Sequence, residues 1–263
     1  MIPTLVFDIE TIPDCDGLRR LHAGEPGWDG DDAAIAQRAF DEQRERSGSD
    51  FLRHHLHRIC AISCVLRTDK SLRVRSLGGV DTDEATLIAE FFDIIERSTP
   101  QIVSWNGGGF DLPVLNYRAL VHGIAAPRFW DWGDDDREFK WNNYLNRYHT
   151  RHLDLMDVLA MFSGRANAPL DDLAKLCGFP GKLGMDGSKV WDSYSAGGLP
   201  GIRAYCETDV MNTWLVYCRF RLMRGELSRE GYDAEIALAR DTLGGLASKP
   251  DCEHWKEYLD AWK

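Results

Sequence analysis

Two carboxylates, Asp8 and Glu10, stand two residues apart at the end of the apolar run Thr4–Ile9. In an extended chain residues i and i+2 point to one side, so both acids project together at the strand's C-terminal edge, where α/β sheets place ligands. Like charges that close disfavour one another unless a cation sits between them, and oxygen donors suit hard cations such as Mg²⁺ or Mn²⁺. The alternative is a pair of solvated strand-end acids. A second constellation is Asn106-Gly-Gly-Gly-Phe-Asp111, between a strand over Gln101–Trp105 and a helix from Leu112 to His122 that stops at Gly123. Its glycines allow close backbone approach to a ligand, and no Gly-Lys-Ser/Thr follows to make a phosphate-binding P-loop. Asp111 could equally be an ordinary helix cap. The third is Tyr205 and Asp209, four residues apart on a helical segment that reads from Ile202 to about Arg224. Ile202, Val210, Thr213 and Trp214 lie near them on the helical wheel, and an acid beside such a face must be paired, metal-bound or at its edge.

The elements that would position these groups alternate between strand and helix in the first half. Ile59–Leu66 and Leu72–Leu77 read as strands joined by the turn Thr68-Asp-Lys-Ser71. Asp83–Arg97 has helical periodicity, with Leu87, Ile88, Phe91, Phe92 and Ile95 on one face and Thr82 as its N-cap. Residues 11–57 read as an irregular insertion with one helical stretch near Asp32–Arg46. The second half is mainly helical. His152–Phe162 starts extended and turns helical, Leu170–Cys177 is a short helix, Gly181–Gly198 is a loop, and helices follow over Asp233–Leu243 and Asp251–Trp262. This order implies an α/β fold, a mixed sheet flanked by helices, as a single domain over 1–263 with a helical C-terminal extension at about 225–263.

Composition narrows the function classes. The chain has 263 residues, 44% hydrophobic and 28% charged, as in a soluble globular protein. No apolar run reaches the ~18–20 residues of a membrane helix, and Met1-Ile-Pro-Thr-Leu5 lacks the regions of a signal peptide, so no membrane role and a cytoplasmic location are expected. The seven cysteines are irregularly spaced with no CxxC pair, which favours reduced thiols over disulfides or structural zinc. A net charge of −11 argues against a protein that coats nucleic acid by bulk attraction.

Together the three constellations resemble the DEDD exonucleases of the tyrosine subtype, and most closely the predicted 3′-5′ exonuclease family related to the exonuclease domain of family-B DNA polymerases. The resemblance runs from Leu5 to about Leu222. It implies a ribonuclease H-like fold in which Asp8, Glu10, Asp111 and Asp209 are the four acids that hold two Mg²⁺ or Mn²⁺ ions, with Tyr205 as the fifth catalytic residue. The histidine subtype would need His where Ala204 stands. On this reading Asp8 bridges the two metals, Glu10 and Asp209 complete one site, Asp111 helps hold the other, and the Tyr205 hydroxyl orients the attacking water. Asn106 and Phe110 would touch the terminal nucleotide, and Thr11 and Ile12 would line the same pocket.

The implied activity is that of a stand-alone exonuclease on a single-stranded nucleic-acid 3′ end, with DNA favoured over RNA. An RNA or short-oligonucleotide exonuclease and a non-catalytic nucleic-acid-binding module are the alternatives. One stretch runs against the acidic balance, Arg137–His152, with four Lys or Arg against one Glu. There Trp141, Tyr144 and Tyr148 could stack on bases while Arg147 and Arg151 meet phosphates, or the aromatic rings could simply pack on the core. Arg53–Arg58 is a second basic patch, and the Lys182–Lys189 loop could also approach a substrate.

Overall fold

The computed structural model describes residues 2–262. Five strands form one mixed sheet: β1 (Thr4–Pro13), β2 (His57–Arg67), β3 (Leu72–Ser76), β4 (Gln101–Ser104) and β5 (His152–Asp154). Their spatial order is β3-β2-β1-β4-β5. β2 runs antiparallel to both β1 and β3, whereas β4 lies parallel to β1 and β5 parallel to β4. This is the mixed sheet flanked by helices that the alternation of elements implied, and it is ribonuclease H-like, as the family resemblance implied.

Ten α-helices accompany the sheet among the described residues: α1 (Cys15–Leu21), α2 (Asp32–Ser47), α3 (Glu84–Ser98), α4 (Asp111–His122), α5 (Leu155–Leu159), α6 (Leu170–Leu176), α7 (Val190–Ser195), α8 (Leu199–Met223), α9 (Arg229–Ala247) and α10 (His254–Ala261). None is long and apolar enough to cross a membrane. All seven cysteines are free.

Alternation along β1 sorts its side chains between two cores. Leu5, Phe7 and Ile9 pack with Phe91, Ile95, Leu112 and Leu115 of α3 and α4. Val6 faces the opposite core, built around Trp214 and Leu215 of α8 and closed by Trp255, Tyr258 and Trp262. Asp8 and Glu10 share the parity of Val6, so they point toward α8, the helix that carries Tyr205 and Asp209.

Several local expectations need correction. β1 runs on to Pro13, so Asp8 and Glu10 lie within the strand and not at its end. Its pairing with β4 nevertheless covers only Thr4–Val6, which leaves that edge of β1 open beside Asp8 and Glu10. Asp83, not Thr82, caps α3, its carboxylate accepting the Thr86 amide at 2.9 Å. The Gly181–Gly198 loop contains α7. The insertion is better ordered than its composition suggests: α1 and α2 enclose a small core of their own from Leu18, Trp28, Ile35 and Leu52.

Candidate active site

The break in β1–β4 pairing leaves the Ile9 amide without a strand partner. Asp111, in the first turn of α4, takes that amide on Oδ1 at 3.1 Å. An exposed strand edge is thereby closed by a carboxylate, which fixes Asp111 beside Asp8. The preceding loop is held in turn by Asp154 at the end of β5. Its two carboxylate oxygens accept the amides of Asn106 and Gly108, each at 2.9 Å. Asn106 takes a left-handed backbone, φ 65°, a conformation that Asn tolerates better than most residues. A Cβ on Gly107 would collide with the Ser104 side chain, so the loop can close this tightly only with glycine there.

From α8 come Tyr205, Cys206 and Asp209, all buried. The Cys206 thiol donates to the Asp8 carboxylate at 3.5 Å, and ligand atoms of Asp8, Glu10 and Cys206 lie within 4.8 Å of one another. Opposite them Lys182 inserts its ammonium, 2.5 Å from the Tyr205 hydroxyl and 3.2 Å from Asp209 Oδ2. A cleft of about 590 Å³ is lined by Asp8, Asp111, Asp209, Lys182, Asn106 and Phe110, among others.

The position of Lys182 is set from a distance. Its backbone amide donates to Asp171 at 2.7 Å. Gly181 before it is left-handed, φ 72°, and is clamped by the buried Asn212, which donates to its carbonyl (2.9 Å) and accepts its amide (3.2 Å). Asn212 is itself held by the hydroxyl of Tyr258 on α10, at 2.7 Å.

The electrostatics are those of a site short of positive charge. Burial pushes the Asp8 carboxyl well above the usual carboxylate range, and the charges of Asp111 and Asp209 push it further. Burial also raises Glu10, with Asp8 adding to it. Asp111 is pushed up to about 7, chiefly by burial, against the pull of the Ile9 amide. Burial raises Asp209 although Lys182 opposes it. Burial disfavours the Lys182 ammonium, but Asp209, Asp8 and Glu10 outweigh that and hold its pKa above the ordinary lysine value. Burial also pushes the Tyr205 hydroxyl far up, so it keeps its proton. Asp209 Oδ1 is buried with no hydrogen-bond partner. An orphaned carboxylate oxygen among under-neutralised acids is what a hard divalent cation would satisfy, so the donor set fits such ions. Cys206 is a soft donor and serves as a hydrogen-bond partner of Asp8.

The fold therefore brings Asp8, Glu10, Asp111, Tyr205 and Asp209 together, with Asn106 and Phe110 at the rim. It does not bring Thr11 or Ile12 into the cleft. β1 carries Ile12 past the acids into a buried cluster with Cys60, Val190 and Ile202. A bulge between Glu10 and Thr11 shifts the pairing with β2. The Thr11 hydroxyl meets His57 Nδ1 at 2.8 Å, and His57 packs edge-on against Phe110 with centroids 5.3 Å apart. Phe51 and His54 pack on the same ring, so the end of the insertion buttresses Phe110 from behind. Burial lowers the His57 pKa to about 4, so it does this as a neutral ring.

The basic aromatic stretch divides. Tyr144 is interior, its hydroxyl donating to the Pro100 carbonyl at 2.6 Å, and the Arg151 guanidinium lies 4.1 Å from the centre of the Phe139 ring. Trp141, Arg147 and Tyr148 stay exposed. Asp154 carried no sequence signal as a support for the Asn106 loop. It ends the three-residue strand His152-Leu-Asp154, and the loop it holds lies about 50 residues upstream.

Comparison with known proteins places this chain in a family. The family described as predicted 3′-5′ exonucleases related to the exonuclease domain of family-B DNA polymerases matches residues 49–262. The chain belongs to that family. The match takes in Asp111, Tyr205 and Asp209 and begins downstream of Asp8 and Glu10. Among solved structures the chain is similar to the family-B DNA polymerase of the hyperthermophilic archaeon Pyrobaculum calidifontis, at 16% identity and a TM-score of 0.49, over 97% of this chain and 27% of that one. The chain thus spans about a quarter of that polymerase's length. A search of curated proteins returned no match.

Proposed function

We propose that this protein is a metal-dependent 3′-5′ exonuclease that removes nucleotides from the 3′ end of single-stranded nucleic acid, DNA in preference to RNA. One observation carries the reading: Asp8, Asp111 and Asp209 line one cleft with Glu10 buried beside Asp8, Lys182 is the cation that acts on Asp8, Glu10 and Asp209, and Asp209 Oδ1 has no partner. These residues would hold two Mg²⁺ or Mn²⁺ ions, which acidify water and neutralise the charge that develops on a scissile phosphate.

The chain's own residues account for the rest. Tyr205 keeps its proton, so it acts by hydrogen bonding to the attacking water and not as a base. Lys182 offsets the acids and, from the same position, can meet a phosphate oxygen. Asn106 and Phe110, at the rim of the cleft, would contact the terminal nucleotide. We read residues 1–263 as one exonuclease domain, because α9 and α10 share the core of α8. The preference for DNA rests on the family's relation to a polymerase exonuclease domain.

The test is digestion of 5′-labelled single-stranded DNA and RNA of equal sequence with Mg²⁺, Mn²⁺ or EDTA. A metal-dependent ladder that shortens from the 3′ end, faster on DNA, is expected. Intact strands of both kinds in saturating metal would overturn the reading.

A further inference from the structure

The wall of the cleft leaves it and comes back. Met156 on α5 lines the cleft, and so does Asn167 eleven residues later. Between them the chain loops outward and carries groups that the chemistry above does not use. The Asp157 carboxylate pairs with Arg147 at 2.7 Å, and its carbonyl accepts the Phe162 amide at 2.7 Å. Met161 and Phe162 both hold left-handed backbone, φ 53° and 60°. For L-residues that geometry is costly and persists only where the surroundings impose it.

The result is a platform. Phe162 meets Tyr148 edge-to-face, with centroids 4.9 Å apart and planes at 71°. The Arg147 guanidinium lies 5.8 Å from the Tyr148 centroid and 5.3 Å from that of Phe162. Tyr148 is 68% exposed and Met161 81%. Arg165, exposed in the next turn, forms no ion pair among the described residues. On a chain of net charge −11, cations beside the exposed Tyr148 and half-buried Phe162, next to a loop whose two ends line an acidic cleft, run against the general trend.

We propose that Tyr148 and Phe162, backed by Arg147 and joined by Arg165, form a second substrate subsite, which stacks an unpaired base upstream of the terminal nucleotide and meets its phosphate. The proposal rests on the exonuclease reading above and adds to it where the strand is held. An acidic cleft repels a polyanion, so grip on the strand must come from its rim, and stacking on aromatic rings works on any base with a free face. A base paired in a duplex offers no such face, which gives the single-strand preference a physical source.

Fluorescence anisotropy with dT2 to dT10, in Ca²⁺ to prevent turnover, tests this. Affinity should rise in a step as the strand reaches the platform. Tyr148→Ala should weaken dT10 binding about tenfold and remove the step, while Tyr148→Trp retains it. One abasic position scanned along dT10 should reproduce the loss, and that loss should not add to the loss from Tyr148→Ala. Arg165→Glu should flatten the salt dependence of dT10 binding. Trp132→Ala, which alters an exposed ring elsewhere, should leave the step in place. An unchanged length profile for Tyr148→Ala, or fully additive losses, would overturn the subsite. A retained step without hydrolysis of dT10 in Mg²⁺ or Mn²⁺ would support the subsite and strike the exonuclease reading alone.

Discussion

The molecule buries two clusters of carboxylates, and they are built on opposite plans. In one, Asp14 and Glu84 share Arg118, which binds Glu84 through two nitrogens (2.8 and 2.5 Å) and Asp14 through a third (2.5 Å). The Ile59 amide (2.7 Å) and His122 (2.7 Å) complete Glu84, and the Gly17 amide completes Asp14. These groups line a groove of about 1060 Å³, larger than the cleft, and both buried carboxylates of the cluster, Asp14 and Glu84, have a cationic partner. In the other cluster Asp8, Glu10 and Asp209 share one lysine, and one oxygen of Asp209 has nothing. Neither burial nor cavity size separates structure from chemistry in this protein; the deficit of counter-charge does.

The largest expected effect breaks the under-neutralised cluster. Asp8→Ala should lower the hydrolysis rate by at least ~10³-fold, on the order of 4 kcal/mol in the barrier, while the fold stays intact because one repulsive charge is gone. Residual activity within tenfold of the parent would contradict the role of Asp8. Arg118→Met breaks the neutralised cluster and should do the reverse. It leaves Glu84 and Asp14 buried without their partner, so urea titration should show a loss of ~3–5 kcal/mol, with the turnover of the folded fraction retained.

Third comes the response to metal. At about 100 times its Kd, Mg²⁺ or Mn²⁺ should stabilise the protein by ~2.7 kcal/mol, which calorimetry would read as roughly 5–10 °C. Asp8→Ala should abolish that shift and Arg118→Met should keep it, so the ion's effect would map to one cluster only.

The smallest effect is on the pH dependence of stability without metal. The Asp111 carboxyl holds its proton up to about 7, above its unfolded value. Between about pH 4 and pH 7 the folded state therefore binds more protons than the unfolded one. Its contribution to stability is fully present below the unfolded pKa and is lost as pH rises through 7. Asp111→Asn, which can still accept the Ile9 amide, should gain on the parent as pH rises across that window, and saturating metal should erase the difference. Parallel pH profiles for the two proteins would remove Asp111 from the under-neutralised set.

Much of this was legible from spacing. Asp8 and Glu10 declare themselves because strand alternation is strict, and Tyr205 and Asp209 because a helix returns to the same face after four residues. The sheet followed from the order of apolar runs. What escaped depends on contacts between distant segments. Thr11 and Ile12 follow the acids directly in sequence, but a bulge and a longer strand carry one behind Phe110 and the other into the core. The Lys182 loop was visible only as a basic stretch near the substrate. Its ammonium reaches Asp209 because Asn212 clamps Gly181, a relation with no periodicity to betray it. Tyr144 and Arg151 could be read as facing either way because loops carry no alternation to mark an inward side, and both turn inward.

The hydrogen bond from Tyr258 to Asn212 bears on the chain's biosynthesis. A ribosome has supplied every acid of the site by Asp209, yet the residue that steadies Asn212, and through it Gly181 and Lys182, emerges some fifty residues later. Pairings this far apart in sequence are the slow ones to form, because the intervening chain must be ordered first. A growing chain thus carries its full set of acids before the bond that steadies the clamp can form, and the proposed site is complete only once α10 has docked.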